Sequence, residues 1–548
     1  MRHYAVADMA ADGAAILRRF DKLKTGASLI RNVWRDCYRY SFPLCGVGLE
    51  SDGEVKDETN AATAAELQAD LYDSTATDAA RIHSSALMSG LTPANSRWFG
   101  LDVDGASDGA KKWLDAAADA LWENIHLSNF DAVAYDCMVD MTVAGQFVML
   151  CDENQEGGFR FEQWHLANTY FSASRPSMPV DSVFNEIELT AEQAVKEYGE
   201  DMVPEKVRKC IADDKPDEKF RFVRAIYPRE KGKGNGGRFA RNLPIASCHI
   251  ERESKKVVRE SGYHEMPIGV PRWHPLPGTS YAFGPMFDAL PDCKTLNAEV
   301  KFVLANADLA IAGMWIAEDD GVLNARAIKV GPRKVIVANS VDSMKPLQPS
   351  GKFDVAALEI DRLQRSIRKV LMADQLTPNN EGPAMTATEI SVRVELIRQQ
   401  LGPVYGRLQS EYLQWLVSRA FGIAYRAGVF GQAPQEIADR VLSIRYISPI
   451  SRAQKAVDVA AMDRYENSLA LEAQATGRSD ILDNYDWDKG ARKRADLLGV
   501  PMDLIQDADA VAEARTGRQQ QQQQAMAGDM LATVVRDNAG ELIGLRKG

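Results

Sequence analysis

The residues that could do chemistry in this 548-residue chain are few and poorly assembled. Adjacent Asp319-Asp320 could share acid and base work, yet no third partner or pocket signal accompanies them, so they read as a solvated turn. Cys248-His249 comes nearest to a metal-ligand pair, but neighbours in a strand point to opposite faces. The cysteines, Cys37, Cys45, Cys137, Cys151, Cys210, Cys248 and Cys293, contain no C-x-x-C, and an odd count suits buried free thiols. No H-E-x-x-H occurs. Gly232 to Gly237 satisfies G-x-G-x-x-G, but it sits in a Gly- and Lys/Arg-rich run from Arg229 to Arg241 with no apolar helix behind it, as a hairpin tip would. Neither G-x-x-x-x-G-K-[ST] nor G-x-S-x-G is present. The expectation is a chain with no catalytic residue, no cofactor and no metal.

What remains is patterned charge and one unusual loop. Arg362, Arg365 and Lys369 fall roughly opposite an apolar helical stripe, and Arg326, Lys329, Arg333 and Lys334 cluster in a strand-like module. Each group has a plain alternative: Arg362, Arg365 and Lys369 could be a solvated face or pair with Asp354, Glu359 and Asp361, and the second group could guard a strand edge. Between helical segments lies Leu376-Thr-Pro-Asn-Asn-Glu-Gly-Pro-Ala-Met385, whose prolines, glycine and asparagines exclude helix and central strand.

The elements that must position these groups follow from periodicity. Leu290, Leu296, Val300, Val303, Leu304 and Ala307 predict a helix over 284–313, kinked in its first turns by Pro291. Ile328, Val330, Val335, Ile336 and Val337 around the Gly331-Pro332 turn predict strands within 314–350. From Phe353, Ala356, Ile360, Leu363, Ile367 and Val370 predict a second long, nearly straight helix over 352–375, roughly 36 Å at 1.5 Å per residue. Thr386-Ala-Thr-Glu389 forms a capping box that restarts a helix after the loop. Its stripe, Ile390, Val394, Ile397 and Leu401, continues past a Gly402-Pro403 kink through Val404, Leu408, Tyr412, Trp415, Leu416, Ala420 and Ile423.

Elsewhere, Ile16, Phe20, Leu23, Ala27, Ile30, Trp34 and Tyr38 predict one amphipathic helix ended by Phe42-Pro43, with Gly26 its weak point. Residues 46–60 read as loop, and 61–91 and 106–143 as helical. From 145 to 277 the period moves toward two, giving strands at 147–151, 159–161, 170–172, 183–184, 220–223 and 257–258, with a helix over 190–200. After Pro449 the composition turns to Ala, Asp, Gln and Arg, and Gln519 to Gln524 form a run that is either helix or disordered tail, its flanks favouring helix. The fold class is mixed α/β, mainly α. The apolar stretch Val303 to Ala317 contains Asn306 and Asp308 and is too short to span a bilayer, and Met1 to Arg19 lacks a signal-peptide core.

Several motifs together resemble a known family. Ala282-Phe-Gly-Pro-Met with Leu296-Asn297, Met385-Thr-Ala-Thr-Glu-Ile with Arg393 and Glu395, and Leu401-Gly-Pro-Val-Tyr-Gly-Arg-Leu with Glu411 are similar to the portal, or head-to-tail connector, proteins of short-tailed podovirus-type bacteriophages. Leu71-Tyr-Asp-Ser-Thr-Ala76, Leu91-Thr-Pro and Trp98-Phe99 resemble that family's early signature, and Tyr446-Ile-Ser-Pro-Ile-Ser-Arg-Ala-Gln454 its late one. The motifs keep a consistent order from about residue 15 to 455.

The resemblance implies a phage portal fold and a ring-forming protein. Its parts would be an α/β wing over 1–283 (helical to about 144, β-rich over 145–283), stem helices over 284–313 and 352–375 and a small β-containing clip over 314–350. A tunnel loop over 376–385, a kinked helix over 386–449 that returns to the wing, and a helical crown or a tail over 450–548 complete it. It implies a homo-oligomer, of twelve subunits in such rings, at the unique capsid vertex of the virion, assembled in the host cytoplasm. Double-stranded DNA would pass through the channel in packaging and ejection, with Thr377, Pro378, Asn379, Asn380, Glu381, Gly382 and Pro383 facing it. Implied partners are the terminase large subunit and then a tail adaptor or tail tube protein at the clip group, together with major capsid and scaffold proteins; no membrane span is expected. The net charge of −12 suits a conduit, since many basic contacts would hold DNA rather than let it slide, and Arg362, Arg365 and Lys369 are candidates for a sparse basic ring. Another virion structural protein, such as a head-tail adaptor or minor capsid protein, would share the Ala-rich helices without needing the loop between two long helices.

Overall fold

The computed structural model describes residues 12–50, 65–103, 107–154, 157–175, 178–229, 242–312, 314–317, 344–347, 353–376, 402, 404–434, 443–446, 449–498, 500, 505–506 and 508–534. The chain divides into two compact units, Met1–Ser96 with Glu123–Ala427, and Arg97–Trp122 with Gly428–Gly548.

In the first unit, α1 (Gly13–Gly26) starts where Asp12 Oδ1 accepts from the backbone N–H groups of Ala14 and Ala15 at 3.0 and 3.2 Å, satisfying donors a helix start leaves open. The single helix expected from Ile16 to Tyr38 is two, since α2 runs Ser28–Ser41. Around the break, Thr25 Oγ1 donates to Asp21 O and Ser28 Oγ to Thr25 O, hydrogen bonds that compete with the helical ladder beside Gly26. A short α3 (Pro43–Glu50) occupies the start of the expected 46–60 loop. Helices α4 (Thr75–Leu91) and α6 (Phe130–Ala144) pack beside α2; α5 (Asp108–Leu127), most of which belongs to the second unit, precedes α6 in the chain.

A five-stranded antiparallel sheet has the order β4-β5-β6-β7-β8, from Thr169–Ser172, Ser182–Thr190, Lys219–Pro228, Ile245–Glu251 and Val257–Tyr263. Strand side chains alternate between faces, and here each face has its own helix. Val223, Ala225, Ala246, Cys248 and Ile250 meet Ile16, Leu17 and Phe20 of α1. Phe220, Phe222 and Val258 meet Ala191, Ala194 and Tyr198 of α7 (Ala191–Tyr198) and Val207 of α8 (Glu205–Ala212). Thr190 and Gln193 close a capping box at the start of α7. Cys248 and His249 do point apart: the thiol is buried against α1, while His249 Nδ1 lies 3.1 Å from Tyr198 Oη on the other face.

A second sheet, β3-β2-β9 (Phe159–Gln163, Met149–Glu153, Ile268–Gly269), and the hairpin β10-β11 (His274–Pro275, Ala282–Phe283) border the main core. That core joins Trp34 and Tyr38 of α2, Ala79 and Ala80 of α4, and Val143 and Ala144 of α6 to the bases of α9 (Pro285–Ala312) and α10 (Phe353–Val370). Each large apolar side chain so buried contributes about 1.5–3 kcal/mol. Inside it, Tyr38 Oη and Gln163 Nε2 donate to the two carboxylate oxygens of buried Asp140, whose pKa burial raises above the ordinary carboxylate range. Beyond α9, β12 (Met314–Ala317) pairs antiparallel with β13 (Met344–Leu347).

In the second unit β1 (Phe99–Asp102) pairs antiparallel with β14 (Ser443–Tyr446), bringing the Trp98-Phe99 and Tyr446 motifs together. A long helix over Pro449–Thr476 packs on one over Trp487–Leu498, with Tyr465, Tyr485 and Trp487 in edge contact and Arg494 paired to Asp463 and Glu466. The glutamine run lies within a helix over Ala508–Val534, and Gln519 to Gln524 are exposed. Among the described residues no helix is long and apolar enough to cross a membrane.

Where α6 ends, Gly145 takes φ +81 and the chain entering α9 crosses it at Gly284, so close that a Cβ on Gly284 would lie 2.6 Å from Thr142 O and 2.8 Å from Gly145 N. Gly284→Ala should therefore destabilise by roughly 1–3 kcal/mol, as overpacking against backbone does. Gly26→Ala has nothing within 4 Å of the new methyl and should be neutral or stabilising by about 0.5–1 kcal/mol. Thermal unfolding midpoints of the two variants check both signs.

Candidate functional site

The chain stays in the first unit's main core as far as Leu296, re-enters it at Leu363 and is buried again at Val404, so the excursions between are positioned by how these stretches are anchored. The outgoing anchor is α9, 28 residues or roughly 42 Å long. Asn297 Nδ2 donates to Asp70 O at 3.0 Å while its Oδ1 accepts from Tyr72 N–H at 2.7 Å, and Lys301 Nζ lies 5.1 Å from the centre of the Tyr72 ring. Asp73 Oδ1 accepts from Thr75 N–H at the start of α4, and its Oδ2 from Gln364 Nε2 of α10 at 2.9 Å. The 71–76 and 296–297 motifs are thus one joint. Ser366 Oγ adds a 2.7 Å hydrogen bond to Asp292, linking α10 to α9 directly.

Burial along these helices is uneven. Leu290, Cys293 and Leu296 of α9 and Leu363 and Ile367 of α10 are buried. Farther from the base, Phe302 is 67% exposed, Leu304 49% and Leu358 71%. The stripe expected to bury Val300, Val303, Leu304 and Ala307 is only half used, because no other part of the described chain covers it.

The expected straight helix over 352–375 is interrupted. It ends at Val370, Leu371 and Met372 form a turn with Met372 at φ +56, and α11 (Ala373–Leu376) follows. At the turn His83 of α4 is buried, with Nδ1 2.9 Å from Leu371 O and its ring 5.5 Å from that of Trp273. Burial pushes the His83 imidazole down to about 4.

The returning segment, 404–426, is anchored more heavily. Arg272 and Glu411 form a buried pair: the backbone N–H and Nε of Arg272 donate to Glu411 Oε2 at 3.1 Å each, and Nη2 to Oε1 at 2.6 Å. Glu411 sits in a π-helical turn, Gln409–Leu413, where the extra residue shifts the register of the side chains that follow. Beyond it, α12 (Gln414–Arg426) lays Trp415 over Gly269, where a Cβ would come within 2.4 Å of the indole, and Trp415 Nε1 donates to Met266 O. Buried Arg419 donates to Cys151 O and Glu265, and Arg426 makes a fork onto Glu265 at 2.6 and 2.9 Å. Burial alone would raise the Glu265 carboxyl, but Arg426 and Arg419 bring it below its ordinary value.

The sequence-predicted residues fall as follows. Arg362 and Arg365 are exposed on α10 and each pairs one turn back, with Glu359 at 3.0 Å and with Asp361; Lys369 is exposed on the same helix. The loop residues Thr377 to Pro383, the cluster Arg326, Lys329, Arg333 and Lys334, Asp319-Asp320, the capping box at 386–389 and the 232–237 glycines lie outside the described residues. All seven cysteines are free thiols. Among the described residues no group of three His, Cys, Asp or Glu could hold a metal ion. Sequence reasoning missed His83, Arg272 and Arg419; an arginine on the apolar face of a helix, between Leu416 and Ile423, was the available signal.

Residues 14–505 match the family model of bacteriophage head to tail connecting proteins. The chain belongs to that family. It is 25% identical over 542 residues to a probable portal protein of Bordetella phage BPP-1, covering 94% of this chain and 93% of that one. It is also 26% identical over 529 residues to the portal protein of Salmonella phage epsilon15, covering 93% and 92%. The match spans both units, so the connector role belongs to nearly the whole chain, and the family is a structural one.

Two outcomes follow from the anchors. Arg272→Met or Glu411→Met alone should cost about 3–5 kcal/mol by stranding a buried charge, and the double variant should recover much of that; denaturant midpoints of all three check it. His83 has a folded pKa below its unfolded value, so its neutral form stabilises the fold above pH 6.5. That contribution, at most about 3 kcal/mol, is lost as the pH falls from 6.5 toward 4. Stability measured against pH should lose this slope in His83→Asn.

Proposed function

We propose that this connector assembles into a ring of identical subunits at one capsid vertex, and that double-stranded DNA enters through the ring's channel during packaging and leaves through it on ejection. The observation that carries the reading is the match over 14–505, together with relatives named as portal proteins over more than nine-tenths of their length.

The helix pair supplies physical support. Phe302, Leu304 and Leu358 are exposed together on the two helices, and covering each would contribute about 1.5–3 kcal/mol. A neighbouring copy is the natural cover, because a closed ring buries the same face of every subunit. In this reading α9 and α10 are the stem, 314–350 the clip and Thr377 to Pro383 the channel-facing part of the tunnel loop 376–385. The segment 386–449 returns to the wing, and 450–548 forms the crown or tail. The local pairs of Arg362 and Arg365 favour a channel wall with little net attraction for phosphate, which lets DNA slide. Lys369 is the remaining candidate for a basic ring. Arg326, Lys329, Arg333 and Lys334 would present charge to the terminase large subunit and later to a tail adaptor or tail tube protein. Major capsid and scaffold proteins would hold the ring in the virion, after assembly in the host cytoplasm.

Electron microscopy and light scattering on the purified chain test the assembly. Rings with a central channel and a mass near twelve chains of 60.5 kDa are expected, and a compact dimer without a channel would overturn the reading. Phe302→Asp should lower the assembled fraction by roughly tenfold or more. Deleting Asn379–Glu381 should leave rings intact but impair packaging or DNA retention; unimpaired packaging would remove the role given to the loop.

A further inference from the structure

The break after α10 is not written in its own residues. Leu371, Met372 and Ala373 are all good helix formers, and the apolar period runs through them. Yet Met372 is left-handed at φ +56, a conformation that helix ends reserve for glycine, and its N–H closes a tight turn on Lys369 O at 3.1 Å. A methionine held there is strained, so something outside the helix must favour the break.

His83 is that partner. It is 1% exposed, and its Nδ1 stands 2.9 Å from Leu371 O. In an unbroken helix the same carbonyl would accept from the N–H of residue 375. Leu371 N–H still reaches Ile367 O at 3.0 Å, so the ladder is intact up to the residue that His83 holds and fails just past it. Leu371 and Ala373 are both buried in the main core, which fixes the joint on either side.

We infer that Leu371–Met372 is a two-state joint: with His83 on the Leu371 carbonyl the helix is broken, and with His83 withdrawn α10 and α11 fuse into one helix over Phe353–Leu376. Backbone strain at Met372 pulls toward fusion and the His83 hydrogen bond toward the break. His83 is therefore a positioning residue, setting the direction in which the chain leaves α10. The inference goes beyond the connector reading and does not depend on it.

High-resolution electron microscopy of full-length variants tests it. In His83→Leu, residue 372 should move to negative φ and the helix should run unbroken to 376. In His83→Asn, whose Nδ2 lies near the Nδ1 position, the break should persist. Met372→Gly should keep the break and raise the unfolding midpoint by roughly 2 °C, since glycine is unstrained there. A His83→Leu chain that stays broken with residue 372 left-handed would overturn the inference, as would a lowered midpoint in Met372→Gly. Should His83→Leu fail to fold, Met372→Val disfavours the left-handed state without altering the core; fusion in that variant supports the joint, and an unchanged break sinks it.

Discussion

The buried Arg272–Glu411 pair holds together stretches 139 residues apart, closing the excursion that runs between them. Closing a loop of this length costs about 4 kcal/mol on chain-entropy grounds, before any residue within it is ordered. One ion pair does not supply that net, because desolvating two charges offsets much of their attraction. The pair contributes register instead. Three N–H groups of one arginine, its backbone included, fit the two oxygens of one glutamate in a single arrangement, so a helix slipped by one residue would leave both charges buried and unsatisfied. The π-helical turn at Gln409–Leu413 is the local distortion that accompanies this fit. Trp415 over Gly269 and Arg419 on Cys151 O then fall into place along α12, adding apolar burial that favours the closed state.

The outgoing end is fixed by different physics. Gly145 and Gly284 bring two backbones into direct contact, where a side chain on either would separate α6 from the start of α9. Asn297, Asp73 and Ser366 then tie α9 and α10 to α4 and to each other through short polar links at the rim of the apolar core. Among the described residues the helix pair is buried at its base and exposed farther out.

Periodicity exposed much of this in the sequence. The stretches expected to be helical over 61–91 and 106–143, the second of them broken into α5 and α6, the stripes of α9 and α12, and five of the six expected strand positions in the β-rich region fall on regular elements. Most of the missed features depend on contact with residues distant in sequence, the split between α1 and α2 being the exception. Strand β7 was overlooked because Ile245–Glu251 mixes Ser, Cys and His among its apolar residues, and only pairing with β6 and β8 makes it a strand. The split between α1 and α2 comes from hydroxyl groups bonding locally, which no hydrophobic count detects. The π-helical turn and the Met372 break lie beside Arg272 and His83, residues that gave no signal of their own. The segment Thr377 to Pro383, expected as a loop from its prolines and glycine, lies outside the described residues, and it was the order of motifs around it that carried the family.

The exposed Phe302, Leu304 and Leu358 also bear on the charge pattern. A helix face meant to meet water would replace them with polar groups at little cost, whereas a face meant for a neighbouring copy needs them and needs few unpaired charges nearby. Arg362 and Arg365 meet the second condition through carboxylates of their own helix, so these two charges are compensated locally. Exposed pairs of this kind contribute little to stability. In the proposed ring they would limit repulsion between copies and attraction for a polyanion, leaving the apolar side chains to decide the contact. In the proposed ring, a helix pair buried at its base and apolar along its flank would hold its neighbours firmly, while the local pairing of Arg362 and Arg365 would leave a passing duplex loosely held.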